Sequence, residues 1–173
     1  MLGRNVEIKA RLKAPADTLK KARKLTSAEP EILSQIDIFF TCPNGRLKLR
    51  ILSPGYGELI FYQRSDTTEP VLSTYSRYPV KAPSELRELL SQSLGVLGTV
   101  QKKRTLLQIE QTRIHIDEVE KLGNFIELEV VLAPEQTVDQ GQLIATQLMQ
   151  HLQIRDEDLI DCAYIDLLRK QQD

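Results

Sequence analysis

The chain has 173 residues, enough for one domain with a real core and short for two. Hydrophobic residues make up 41% and charged residues 27%, a globular balance, and the net charge of −1 excludes a whole-molecule pull toward nucleic acid or an anionic membrane. No apolar run approaches the roughly 18 residues of a membrane span. The alternating segment that begins at Asn5 leaves no room for a signal peptide. Cys42 and Cys162 stand far apart without a metal-binding spacing, so two free thiols in a reducing, cytoplasmic setting are expected.

Asn5 to Leu12 alternates with a period of two, Glu7, Lys9 and Arg11 on one side and Val6, Ile8 and Ala10 on the other, which predicts a strand. Pro15 and Asp17 open a helix to about Leu25. Strands are predicted over Ser34–Phe40, Arg46–Ile51, Glu58–Arg64 and Val71–Val80, the first pair separated by the turn-forming Pro43-Asn44-Gly45. Pro83 and Ser84 start a second helix that Gly95 ends. Three more strands follow, at Thr99–Gln108, Thr112–Val119 and Phe125–Leu132. The tail from Pro134 is helical in two pieces, with Leu159, Ile160, Ala163, Tyr164, Leu167 and Leu168 as the apolar face of the last. The sum is an α+β chain, one domain over residues 1–173, with about eight mostly antiparallel strands closing a barrel and helices packed outside.

Several strands sort their charges by sign. Arg46, Lys48 and Arg50 share a face, as do Lys102 and Arg104; Glu127 and Glu129 share another, and Arg113, His115 and Asp117 a fourth. Like charges two apart on a strand lie about 7 Å from each other and repel unless opposite charges stand between them. Were all such faces turned inward, nine basic residues (Lys9, Arg11, Arg46, Lys48, Arg50, Arg64, Lys102, Arg104, Arg113) would meet five acidic ones (Glu7, Glu58, Asp117, Glu127, Glu129). Such an interior costs too much to fold dry, so it would be wet and would receive a polyanion. Charge patterning alone leaves this reading and a plain solvated face both open.

The residues also resemble a known family. Asn5-Val6-Glu7-Ile8-Lys9-Ala10-Arg11 is similar to the ExExK signature of the CYTH superfamily, the triphosphate tunnel metalloenzymes. Gln35 to Phe40 resembles its second-strand motif, Gly45 to Arg50 its arginine strand, and Lys102-Lys103-Arg104 its KxR strand. Asp117-Glu118-Val119 with Leu122 to Glu129 resembles its D-x-V and LG-x-F-x-E-x-E block. The resemblance implies an eight-stranded antiparallel tunnel, a Mg²⁺ or Mn²⁺ ion, and a triphosphate-containing small molecule as ligand. It implies Glu7, Glu127 and Glu129 as metal ligands, with Asp117 a ligand or base-like partner. Lys9, Lys48, Arg50, Arg64, Lys102 and Arg104 would grip phosphate, and the charged faces add Arg11 and Arg46. Lys9, Asp117 and Arg104 are the expected catalytic residues. Asn5 departs from the signature, standing where its first glutamate would be; an amide adds no charge and weakens a second metal site.

Expected chemistry is hydrolysis of a small triphosphate, inorganic tripolyphosphate, thiamine triphosphate or a nucleotide. The alternatives are a class IV-type cyclase making cyclic AMP and pyrophosphate, and a non-catalytic polyphosphate- or nucleotide-binding module. The chain lacks the His-Phe-rich N-terminal stretch of the cyclase branch. His115, His151 and Tyr164 are read as packing or solvated residues rather than site residues. No membrane and no specific nucleic acid are expected as partners, and the protein is expected as a monomer or homodimer.

Overall fold

The computed structural model describes residues 2–171; Met1, Gln172 and Asp173, the ends of the expected 1–173 domain, lie outside them. Eight strands carry the chain: β1 (Gly3–Arg11), β2 (Glu31–Phe40), β3 (Arg46–Ser53), β4 (Tyr56–Arg64), β5 (Val71–Val80), β6 (Val96–Ile109), β7 (Thr112–Val119) and β8 (Gly123–Val131). They close into a barrel in the order β1-β5-β4-β3-β2-β6-β7-β8, every neighbouring pair antiparallel. The strand periodicity locates each element, with ends that differ from expectation by a few residues. Closure leaves no unpaired edge and turns one face of every strand inward.

The outward faces are the apolar ones, and helices cover them. α3 (Val138–Leu152) sets Met149 and Leu152 against Ile8, Ile114, Ile126 and Leu128 of β1, β7 and β8, with α1 (Pro15–Arg23) alongside through Ala22 and Leu19. α2 (Pro83–Leu94) lays Leu86 and Leu90 over Ile38, Phe40 and Leu49. Gly141 lets α3 approach β1 closely, since a Cβ there would lie 2.7 Å from Val6 and Leu132 side chains. With the greasy sides covered, the charged sides are left to the bore.

The C-terminal tail departs from the sequence reading. Its helix α4 begins only at Tyr164 and runs to Lys170, whereas Leu159 to Ala163, expected on the same helical face, is not helical. The reason is β1: Leu159 bridges Ala10, and the Ile160 N–H donates to the Lys9 carbonyl at 2.9 Å. That tether brings Ala163 and Tyr164 to the end of the barrel where β1 finishes, against Phe39, Val100 and Phe125.

Candidate active site

The bore encloses a cavity of about 310 Å³, within the range of small-molecule sites. Nine basic side chains line it (Lys9, Arg46, Lys48, Arg50, Arg64, Arg77, Lys102, Arg104, Arg113) against six acidic ones (Glu7, Glu31, Asp37, Glu58, Glu127, Glu129). The interior is therefore net positive inside a chain of net charge −1. Positive and negative groups are not mixed evenly; they form two clusters on different strands.

The basic cluster is organised by Asp37 of β2. Its carboxylate accepts from Arg50 Nε at 2.7 Å and Nη2 at 2.8 Å, from Lys48 Nζ at 3.0 Å and from Lys102 Nζ at 2.7 Å. The register explains the convergence, because Asp37 pairs with Arg50 across β2–β3, and Lys102 stands opposite Gln35 across β2–β6. Against the cost of burial, Arg50, Lys102 and Lys48 hold the Asp37 carboxyl well below the usual range. One carboxylate cannot neutralise three cations. Burial, with Arg50, Arg104 and Lys48 close by, brings the Lys102 ammonium down to about 7 despite its bond to Asp37.

Arg104 of β6 is held from behind. Asp117 of β7, opposite it in register, accepts from Arg104 Nε and Nη2, and Nη2 also donates to Glu127 at 2.7 Å. Asp117 is 0% exposed and takes a third hydrogen bond, from the Tyr164 hydroxyl at 3.0 Å. Tyr164 in turn lies under the Lys9 ammonium, 4.3 Å from its ring centroid. Arg46, at the same end, bridges Asp66 at 3.0 Å and Asp166 at 2.9 Å, tying α4 to the loop after β4.

The acidic cluster lies across the bore. Glu127 and Glu129 of β8 and His115 of β7 each offer a ligand atom, all within 4.8 Å of one another. His115 faces Glu127 across β7–β8, and Glu129 lies between Arg113 on β7 and Glu7 on β1. Burial, reinforced by Arg104, lowers the His115 pKa and favours the neutral, ligating imidazole. Burial beside Glu129 raises Glu7 to about 7, even with Arg64 Nε 3.2 Å away. Two carboxylates and one imidazole suit a divalent cation that accepts mixed oxygen and nitrogen donors. Unmet valences in the same bore agree. Asn5 Oδ1, Gln35 Oε1 and Arg64 Nε are buried without a hydrogen-bond partner, Arg64 Nε being too poorly aligned with Glu7 to form one. All three residues line the cavity.

The CYTH domain profile matches residues 3–164, nearly the whole chain. The protein belongs to the CYTH family. No curated protein matches the sequence. Among solved structures, the PH1012 protein of Pyrococcus horikoshii superposes with a TM-score of 0.82 at 24% identity, covering 94% of this chain and 98% of that one. A candidate adenylate cyclase from Vibrio parahaemolyticus gives 0.74 at 18% identity, covering 95% and 97%. A candidate adenylyl cyclase from Hippeastrum, described as having a dominant triphosphatase activity, gives 0.67 at 15%, covering 96% of each chain. At these identities the likeness is one of fold.

Most of the residues expected from sequence face this CYTH bore: Glu7, Lys9, Arg46, Lys48, Arg50, Arg64, Lys102, Arg104, Glu127 and Glu129. Two do not. Arg11 ends β1 beyond the cavity, exposed, its guanidinium 5.3 Å from the Phe125 ring centroid. Asp117 keeps the inward alternation of its strand but does not line the cavity: it is fully buried, and Arg104 and Tyr164 occupy its oxygens. Three others line the cavity without having been expected there. Asp37 appeared in the sequence only as part of a motif, although it faces the bore on the same side of β2 as Gln35. His115 lacks ligand partners along its own strand and gains them from β8. Tyr164 packs as helix core but also lines the cavity.

Proposed function

We propose that this CYTH protein hydrolyses a small triphosphate, aided by Mg²⁺ or Mn²⁺. What carries the reading is the division of one bore into a wall of cations gathered on Asp37 and a facing group of carboxylates with one imidazole. Phosphoryl transfer asks mainly for positioning and for neutralisation of charge on the transferred group. Arg50 and Arg104 are each fixed through Nε and Nη2, so their guanidinium planes are set before a ligand arrives. Among the described residues Nη1 of neither has a hydrogen-bond partner, leaving a donor edge for phosphate oxygens. Lys48 and Lys102 add point charges on the same wall, and Lys9 reaches in from β1 while bonded to Glu127 at 3.0 Å. Glu127, Glu129 and His115 would hold the ion, with Glu7 facing Glu129 from β1. Once bound there, it would supply further neutralisation at the phosphate oxygens.

Product analysis tests the reading. Incubation with tripolyphosphate, thiamine triphosphate and ATP under Mg²⁺ or Mn²⁺ should release orthophosphate. Cyclic AMP and pyrophosphate from ATP would replace the hydrolase by a cyclase. No product from any of the three would leave a binding module.

A pH dependence follows from Lys102. Its ammonium, brought down to about 7, grips phosphate only when protonated. Binding of tripolyphosphate without metal should therefore be strongest below pH 7 and weaken by up to about tenfold per pH unit above it. Calorimetric titration across pH 6 to 9 reads this directly. Affinity rising over that range would show that Lys102 does not engage the ligand.

A further inference from the structure

One aromatic side chain stands among the cations of the bore without belonging to any strand. Tyr164 opens α4, lines the cavity and is buried. Its hydroxyl donates to Asp117 Oδ2 at 3.0 Å, the oxygen that also accepts from Arg104 Nη2. Its ring lies under the Lys9 ammonium, 4.3 Å from the centroid, with the Lys102 ammonium 5.9 Å away. Lys9 and Arg104 meet a second time at Glu127. Phenylalanine would serve the core equally well, and a buried hydroxyl is a cost unless its hydrogen bond has a use. Burial, with Glu127 and Asp117 nearby, pushes the Tyr164 pKa well above its ordinary value, so the hydroxyl stays a donor.

The tail delivers Tyr164 with little freedom. Leu159 bridges Ala10 and the Ile160 N–H donates to the Lys9 carbonyl, so one segment holds Lys9 by its backbone and, through Tyr164, by its ammonium. Asp166 accepts from the Ala163 N–H at 3.0 Å at the start of α4 and is itself bound by Arg46. Ile165 lies directly on β6, where a Cβ on Gly98 would come within 2.4 Å of its side chain. Phe125 packs against the Tyr164 ring with centroids 4.9 Å apart. These contacts fix the ring and, by way of Asp117, the plane of the Arg104 guanidinium.

We infer that Tyr164 is a positioning residue for phosphoryl transfer: its hydroxyl, acting through Asp117, orients Arg104, and its ring holds the Lys9 ammonium beside it. This role rests on the hydrolase reading above and adds to it a residue from outside the barrel. Removing the hydroxyl changes no charge in the bore, so attraction for a polyanion persists while the fixed geometry is lost. Affinity follows the total charge, whereas the chemical step depends on donors already aimed at the transferring group. The defect should therefore fall on kcat rather than KM.

Tyr164→Phe keeps the ring and its packing. Its kcat for tripolyphosphate under Mn²⁺ should fall about tenfold, with KM and metal-free tripolyphosphate affinity within about twofold of the wild type. Tyr164→Leu, which removes the ring as well, should fall about 100-fold. In an Arg104→Lys background Tyr164→Phe should cost almost nothing more, because the hydroxyl acts through that guanidinium. Leu168→Ala trims the apolar packing of α4, leaves the hydroxyl in place and should retain the wild-type kcat. A second readout needs no turnover. The Arg104 Nε–H resonance of isotope-labelled protein, assigned by its absence from Arg104→Lys, should exchange with solvent about tenfold faster in Tyr164→Phe. Wild-type kcat in Tyr164→Phe, or an equal loss in Leu168→Ala, would overturn the positioning role and leave the hydrolase reading intact. Should the wild type release no orthophosphate, the hydrolase reading falls and the resonance decides: faster exchange sustains the hold of Tyr164 on Arg104, and unchanged exchange overturns it.

Discussion

Asp37→Asn is expected to lose about 3–5 kcal/mol of stability in the absence of a polyanion. The substitution keeps the side-chain shape but removes the charge on which Lys48, Arg50 and Lys102 converge. Three inward-facing cations, Lys102 buried and Lys48 and Arg50 largely so, then face one another with only an amide between them. Because the Asp37 carboxyl is held well below its usual range, the stabilising contribution is complete above about pH 4 and is lost as acid protonates the folded form. Denaturant unfolding at pH 7 therefore reads the full effect. Tripolyphosphate should restore more stability to the variant than it adds to the wild type, because it supplies the missing counter-charge to the same three groups. A variant as stable as the wild type in polyanion-free buffer would show that the cations do not depend on Asp37.

Glu127→Gln should lower kcat/KM by at least about 100-fold and shift the half-saturating Mn²⁺ concentration upward. Glu127 is shared between the ion cluster and the phosphate wall: it meets Lys9 at 3.0 Å, Arg104 at 2.7 Å and His115 at 3.3 Å. Against burial, Lys9 and Arg104 hold its carboxyl well below the usual range, so it is ionised throughout the working pH. The amide offers one acceptor and no charge, leaving Lys9 and Arg104 less neutralised as well. Direct Mn²⁺ titration separates the two consequences. Unchanged Mn²⁺ affinity with lost activity would remove Glu127 from the ion site and keep it as an electrostatic partner of Arg104.

The sequence made the strands and the sorting of their faces legible because both follow from a period of two within one segment. Arg46, Lys48 and Arg50 declare their shared face without reference to any neighbour, as do Glu127 and Glu129. What it could not display is register. Asp37 becomes a hub only because β3 and β6 flank β2 and aim Arg50, Lys48 and Lys102 at it. His115 gains its carboxylates from the adjacent strand by the same logic. Height along the barrel was equally hidden. Asp117 and Arg11 obey the alternation yet lie where a tail residue or a strand end takes them out of the cavity. The non-helical Leu159–Ala163 segment depends on a backbone bond to Lys9, about which the apolar spacing of those residues carries no information.

The circular hydrogen-bonding order has a consequence for synthesis. β1 emerges first, yet its partners are β5 on one side and β8 on the other, with Asn5 set against Val131. The opening strand must wait, half-paired, until the last one leaves the ribosome. Loop closure over so long a stretch is entropically slow, which makes sealing of the ring a late folding event. Until then Val6 and Ile8 lack the α3 residues that bury them. The nascent chain thus carries an uncapped, aggregation-prone ribbon, and the window of greatest risk spans translation of the stretch from β5 to α3.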